Sequence, residues 1–257
     1  MKIPQTVFIF IMLTLLTACA SDVTMTATVS EPALPATDVP ATAAGPSSTN
    51  EAVVSPTVEP NEEPALTEEQ TVLSSFSQPV TAAGEPLILY GHLLDTSGAP
   101  LSGYAVEIWQ VDAQGIYDHP GQANTTNRDP GFQFYGTSIT DENGLFAFRT
   151  IVPARYEPRP RHIHFKVKKN GAEVLTSQFY FAGDVDAAQL GQGGEMLLLD
   201  LGDGQDGSGS AVKLAVVDIV LDTGSAGSPG TTPSQTEGPF YPVVDVESFD
   251  NDLASVQ

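Results

Sequence analysis

Cysteine occurs once in this chain, at Cys19, so no disulfide can close within one molecule. Basic residues are scarce as well. Lys and Arg number 10 against 32 Asp and Glu, a formal net charge of -22. Phosphate binding needs a basic face, which argues against a nucleic-acid partner. Residues 20–72 contain no Lys, no Arg and no aromatic side chain; Thr, Ala, Pro, Ser, Val and Glu dominate instead. Such a segment cannot bury enough apolar surface to offset its ordering entropy, so 19–72 is predicted to be a disordered tether. As a flexible coil it would span roughly 40 Å. Helical periodicity is missing too, since no stretch repeats its apolar residues convincingly at helical spacing.

What is present begins with "VFIFIMLTLL", residues 7–16, behind Met1-Lys2. The run is short for a membrane span and is read as the core of a signal peptide over 1–18. Leu16-Thr17-Ala18-Cys19 resembles the processing site of bacterial lipoproteins, where the cysteine is acylated and becomes the mature N-terminus. Buried methylenes hold such an anchor at ~0.8 kcal/mol each. The expectation is an extracytoplasmic protein tethered to a membrane at Cys19. An ordinary signal peptide with an incidental cysteine is the alternative.

From about residue 84 the pattern changes to short strands and tight turns: "PLILYGHLLD", "AVEIWQVD", "TSITDENGLFAFRTI", "HIHFKV", "VLTSQFYF", "EMLLLDL" and "KLAVVDIVL". Repeated short strands with Gly, Pro, Asn and Asp at the joints predict an all-β domain, an antiparallel β-sandwich, over 73–223. Lys168-Lys169-Asn170-Gly171 has the composition of a hairpin turn. Residues 224–257 begin as a linker, "TGSAGSPGT" spanning the boundary, and continue into "TPSQTEGPFYP", residues 232–242. Phe240 and Tyr241 there suggest a segment that folds back onto the domain.

"RPRHIHF", residues 159–165, places His162 and His164 two apart, on one face of a strand. Two imidazoles side by side suit a metal, although such a pair also occurs incidentally in strands. No cysteine remains in the mature domain to complete a thiolate site, and Tyr117 and Tyr156 stand out instead. Phenolate oxygens with imidazoles make a hard, anionic donor set that suits ferric iron better than zinc. Seven of the ten Lys and Arg also fall between Arg149 and Lys169. They form either a solvated strand and turn or a positive patch for a small anionic ligand.

The runs "GHLLDTSGAPLSGYAVEIWQVDAQGIYDH", "TDENGLFAFRTIVPARY", "RPRHIHF" and "LTSQFYFAGD" resemble, in order, the intradiol ring-cleavage dioxygenases, the family of the protocatechuate and catechol dioxygenases. The resemblance implies a β-sandwich holding a high-spin Fe(3+) ion through Tyr117, Tyr156, His162 and His164, with Tyr156 as the axial ligand. It implies that Arg159 stabilises negative charge on the substrate ring and that Gln178 stands near substrate and oxygen. Trp109 has a family counterpart but is expected to pack in the core, and His92 and His119 match no ligand. The implied reaction cleaves a catechol-type aromatic with O2 between its two hydroxylated carbons, giving a muconate-type diacid.

Two departures qualify the match. "TPSQTEGPFY" resembles a signature that precedes the sandwich in that family; here it follows the last strand, as though permuted. Gly238, Pro239 and Tyr241 are therefore expected to close the substrate pocket of their own chain or of a neighbour. Deleting 224–257 is expected to weaken substrate binding while leaving iron bound. Only five residues separate Tyr156 from His162, which implies a more open pocket. The sequence leaves room for a homo-oligomer. The competing reading is a non-catalytic surface β-sandwich, a binding or spacer module, since "TDENGLFAF"-like phrases also occur in adhesin-like domains.

Overall fold

The structure, a computed structural model, describes residues 65–224 and 230–256. Cys19 and the signal and tether segments up to residue 64 lie outside the described residues. Two five-stranded sheets face each other. The first is centred on β1 (Pro86–Asp95), which pairs antiparallel with β4 (Leu145–Ile151) and parallel with β9 (Ala211–Val216) and β10 (Ile219–Leu221). β8 (Gly202–Gln205) adds to β9. The second runs in the order β3 (Tyr135–Ile139), β2 (Ala105–Trp109), β5 (His162–Lys169), β6 (Ala172–Phe181), β7 (Leu198–Leu199).

The expected sandwich is present, and its sheets are mixed rather than purely antiparallel. β1 explains why. "LILY" is apolar without alternation and buried on both faces, as befits a central strand with parallel neighbours. Leu87, Leu89 and Leu93 enter the core between the sheets, whereas Ile88 and Tyr90 face the other way. Gly91 lies where β1 passes from β9 to β10. A Cβ there would stand 1.8 Å from the Val217 carbonyl oxygen, so only glycine allows the crossing.

The back of β1 is covered by a helix that the composition of 65–75 does not announce. α1 (Glu68–Ser75) starts at Thr67, whose hydroxyl accepts from Gln70 N–H at 3.2 Å while Gln70 Oε1 accepts from Thr67 N–H at 2.9 Å. This reciprocal cap satisfies two otherwise orphaned donors. Val72, together with Phe76 just past the helix, then packs on Ile88, Tyr90 and Val212. The tether predicted over 19–72 is thus corrected at its end: residues 68–72 belong to the folded domain because Val72 has an apolar groove to fill.

The β5–β6 hairpin turns where the sequence places it, with Asn170 at φ 51° and Gly171 at φ 75°. Both central residues at positive φ give the turn that matches strand twist.

The segment expected only to close a pocket also completes the core. Leu253 and Ala254 are fully buried, and Leu253 N–H donates to Arg149 C=O at 2.8 Å. Arg149 has no exposed surface. Its guanidinium donates to Asp252 at 2.9 and 2.6 Å and to Asp206 at 3.3 Å. Burying a leucine contributes about 1.5–3 kcal/mol, and removing one partner of a buried pair strands the other charge. Deleting 224–257 is therefore expected to disrupt the fold itself as well as substrate binding.

Candidate metal centre

β5 is the middle strand of its sheet, so both of its faces are covered by something. His162 and His164 lie on the face turned away from the other sheet. Across the ladder His164 pairs with Trp109 of β2 and Gln178 of β6, and His162 pairs with Tyr180. One face thus collects two imidazoles, an indole, a carboxamide and a phenol.

Tyr117 reaches the same place from the loop after β2. Asp112 builds that loop: Oδ1 accepts from the N–H groups of Gln114 (2.9 Å) and Ile116 (3.0 Å), and Oδ2 from Asp129 N–H (2.9 Å). An aspartate that bonds its own following backbone is a standard way to fix a turn. The loop packs on the Tyr156 segment through Ala154 N–H, which donates to Asp112 C=O at 3.3 Å. The rings of Tyr117 and Tyr156 meet edge to face at 5.4 Å between centroids.

The centre of the site is a convergence of three donor atoms. Tyr117 Oη stands 3.1 Å from His162 Nε2 and 3.1 Å from His164 Nε2. His162 Nδ1 donates to Pro160 C=O at 2.8 Å, which leaves its Nε2 as a bare lone pair. His164 Nδ1 has no hydrogen-bond partner among the described residues, and its ring is held instead by stacking on Trp109 at 4.7 Å. Burial drives the His162 pKa down to about 4, although the Pro160 carbonyl favours the charged ring. Burial, then the charges of His162 and Arg159, hold His164 well below its ordinary value. Burial also pushes the Tyr117 phenol up, against the pull of Arg159.

At neutral pH both rings are therefore neutral; the phenol donates to the bare Nε2 of His162 and accepts from His164 Nε2–H, the tautomer open to a ring whose Nδ1 has no partner. The buried His164 Nδ1 is left without a partner among the described residues in either tautomer, at a cost of about 1–3 kcal/mol. A cation with affinity for oxygen and nitrogen would turn all three into ligands at once and take the phenol's proton away. Two imidazoles and two phenols without a thiol suit a hard trivalent ion. Among the described residues no cluster of three or more His, Cys, Asp and Glu offers a competing site.

The tail closes over this cluster. Ser177 Oγ donates to Pro233 C=O at 2.6 Å, Gln235 N–H to Thr176 C=O at 2.9 Å and Gln178 Nε2 to Thr236 C=O at 2.8 Å. Gly238 sits at φ 84°, and a Cβ there would meet His164 Cε1 at 3.2 Å. Tyr241 stacks edge-on against Trp109 at 5.0 Å and donates to the buried Glu107 at 2.8 Å. Pro239 is exposed at the turn between Gly238 and Phe240.

Phe240 was the missed one. Its ring lies 5.0 Å from Tyr117, 5.7 Å from Tyr156 and 5.5 Å from His119. The aromatic pair in the tail was the available signal. Tyr180 was also missed, and its period-2 spacing from Gln178 was the clue.

Arg159 and Gln178 meet each other, Arg159 Nη2 donating to Gln178 Oε1 and, at 3.2 Å, to Tyr180 Oη. The wider positive patch does not form. Arg155 and Arg161 pair with Asp184, Lys166 with Glu173 and Glu237, and Lys168 with Glu107 and Glu247. Arg159 makes no ion pair among the described residues and is the cation left beside the cluster. His92 contacts Glu68 and Asp218, away from the site.

A family model described as dioxygenase matches residues 55–222. The catechol 1,2-dioxygenase of Acinetobacter baylyi is 36% identical over 119 residues, which cover 39% of this chain and 37% of that protein. The protocatechuate 3,4-dioxygenase beta chain of Burkholderia cepacia is 37% identical over 110 residues, covering 39% and 46%. The chain thus spans less than half the length of these relatives. Among solved structures, the dioxygenase domain of a dioxygenase and carbohydrate-binding protein fusion from Streptomyces sp. SirexAA-E is similar at 30% identity. That match covers 63% of this chain and 96% of the domain at a TM-score of 0.44.

Proposed function

The chain belongs to the dioxygenase family, in its intradiol ring-cleaving branch, and from that premise we propose that it opens a catechol-type aromatic between the two hydroxylated carbons. Both atoms of O2 enter the product, a muconate-type diacid. The observation that carries the reading is the convergence of Tyr117 Oη with both histidine Nε2 atoms at 3.1 Å. Tyr117, Tyr156, His162 and His164 would hold the family's non-haem Fe(3+). When bound, that ion supplies the Lewis acidity that activates a catechol towards dioxygen.

The chain's own residues account for the rest. Tyr156 is half-buried at the edge of the cluster, where its Oη would serve as a ligand to the ion and as an acceptor for a substrate proton. Arg159 carries a charge that no carboxylate among the described residues neutralises, beside the place where the ring becomes anionic. A fixed charge aimed at a developing one lowers the barrier without reorganisation. Gln178 holds Arg159 in that position, and Phe240, Gly238 and Tyr241 keep water from the reacting face.

"LTAC" supports export and lipid attachment at Cys19, which would tether this activity to a membrane outside the cytoplasm. No helix among the described residues is long and apolar enough to cross one.

The test is a visible spectrum of the purified protein with iron quantified on the same sample, followed by oxygen uptake with catechol. A tyrosinate-to-ferric charge-transfer band, shifted by catechol under nitrogen, is expected. A protein that stays colourless after iron reconstitution would leave a non-catalytic surface sandwich as the better description.

A further inference from the structure

Residues 237–244 carry the tail across the Tyr117–His162–His164 cluster without main-chain support from the sandwich. The tail is tied down just before them, where Gln178 Nε2 donates to Thr236 C=O at 2.8 Å. It is tied down again just after them, where Thr137 Oγ1 donates to Val246 C=O at 2.8 Å. Between these points no main-chain N–H or C=O of 237–244 hydrogen-bonds to the sandwich among the described residues. This stretch is a strap held by its side chains.

Lys166 supplies much of that hold. It lies two residues after His164 on the same face of β5, and it is buried. Its Nζ donates to Glu237 Oε2 at 2.5 Å and stands 3.6 Å from the centroid of the Tyr241 ring. One cation therefore grips both ends of 237–241, by a charged hydrogen bond at one end and a cation–π contact at the other. Glu173 of β6 steadies the same Nζ at 3.2 Å. The residues slung between the two grips are the ones that cover the donors. Gly238 lies against His164, and the Phe240 ring is 5.0 Å from Tyr117 and 5.7 Å from Tyr156. Glu107 also accepts from Tyr241, but Lys168 already meets its charge at 2.5 Å.

We propose that Lys166 is a positioning residue for ring cleavage. It acts through the strap rather than on the substrate, and its clasp fixes how closely Gly238 and Phe240 bound the place where the aromatic ring binds. The role in positioning rests on the dioxygenase reading, whereas the clasp does not. Packing that is the same for bound substrate and transition state enters KM and leaves kcat alone.

The experiment compares the full chain with its Lys166→Met variant, which keeps an apolar stem and removes the charge. Glu237 and Glu173 are 40% and 51% exposed, so both can return to water and neither is left as a buried charge. Trp109 reads the strap without iron or turnover. It is the one tryptophan of the chain, it is buried, and the Tyr241 ring stands against it at 5.0 Å. Acrylamide quenching of its fluorescence in the iron-free protein should rise at least about twofold in Lys166→Met, as the strap opens locally. In the iron-supplied protein the KM for catechol should rise at least about tenfold, the worth of a lost hydrogen bond to a charged group, with kcat within about threefold. Lys213→Met, which removes the pair with Asp203 on the other sheet, should move neither reading. If Lys166→Met does not fold, Glu237→Gln decides the matter from the strap side. Unchanged quenching, or a fall in kcat at unchanged KM, in the folded variant overturns the assignment. A protein that consumes no oxygen with catechol yet shows the difference in quenching keeps the clasp and loses the dioxygenase reading.

Discussion

His164 and Phe165 are neighbours in β5, both are buried, and they face opposite ways. On the Phe165 side stand Val106, Ile108, Ile163, Val167 and Phe179, pressed against the other sheet. Phe165 stacks on Phe179 at 4.2 Å. On the His164 side stand Glu107, Trp109, His162, Lys166, Gln178 and Tyr180, pressed under the tail and the loop carrying Tyr117. Depth of burial does not separate the two faces. What separates them is the material that covers each. A sheet offers only side chains to its partner sheet, so that interface is apolar. A tail without regular structure offers carbonyls, amides and carboxylates as well, so polar groups can be buried beneath it with partners. Nearly every polar group of the outer face has one. The exceptions include His164 Nδ1 and Trp109 Nε1, the nitrogens of the stacked pair at the centre of the site.

Substitutions can set one face against the other. His164→Ala should abolish iron uptake and reduce catechol turnover to background, while the unfolding midpoint moves less than for Phe165→Ala. Phe165→Ala should cost about 3–5 kcal/mol in urea unfolding and leave iron stoichiometry intact in the folded fraction. If both variants lost iron alike, the two faces would not be separable. Asp252→Ala attacks the anchor of the cover and strands Arg149, at a cost of about 3 kcal/mol.

The same anchor predicts a pH dependence. Burial raises the Asp206 carboxyl, but the Ser208 hydroxyl, the backbone N–H groups of Ser210 and Ser208, and then Arg149 outweigh it, so its pKa lies below the ordinary 3.8. A depressed carboxylate stabilises the fold above its unfolded value and loses that contribution as pH falls through its folded value. The unfolding midpoint should therefore hold from neutral pH down to the ordinary carboxylate range and drop below it. Tyr241→Phe removes one donor to buried Glu107 while Lys168 remains, and should cost about 1 kcal/mol. Ile139→Thr, at an exposed position of the same sheet, should stay within about 0.5 kcal/mol.

Much of the outer face was legible because strands alternate. His162 and His164 declared a shared face by their spacing, and Asn170-Gly171 declared the hairpin that places Gln178 opposite His164. Tyr117 and Tyr156 were tied to them by family resemblance, since no periodicity links residues so far apart in the chain. α1 was not legible: Val72 and Phe76 become core only because Ile88 and Tyr90 offer a groove. The parallel pairing of β1 with β9 and β10 was hidden because the partners are distant in sequence. The basic cluster misled for a related reason, as the carboxylates that neutralise it lie in Glu107, Asp184, Glu237 and Asp252, on separate segments.

The cover follows every strand of both sheets in chain order. A ribosome therefore delivers β5 and β6 before it delivers residues 230–256. Until those residues emerge, Arg149 lacks Asp252, and nothing from the tail stands over His162, His164, Gln178 and Tyr180. Translation thus imposes a schedule on the site: the donors are made first, and the lid that hides them arrives last.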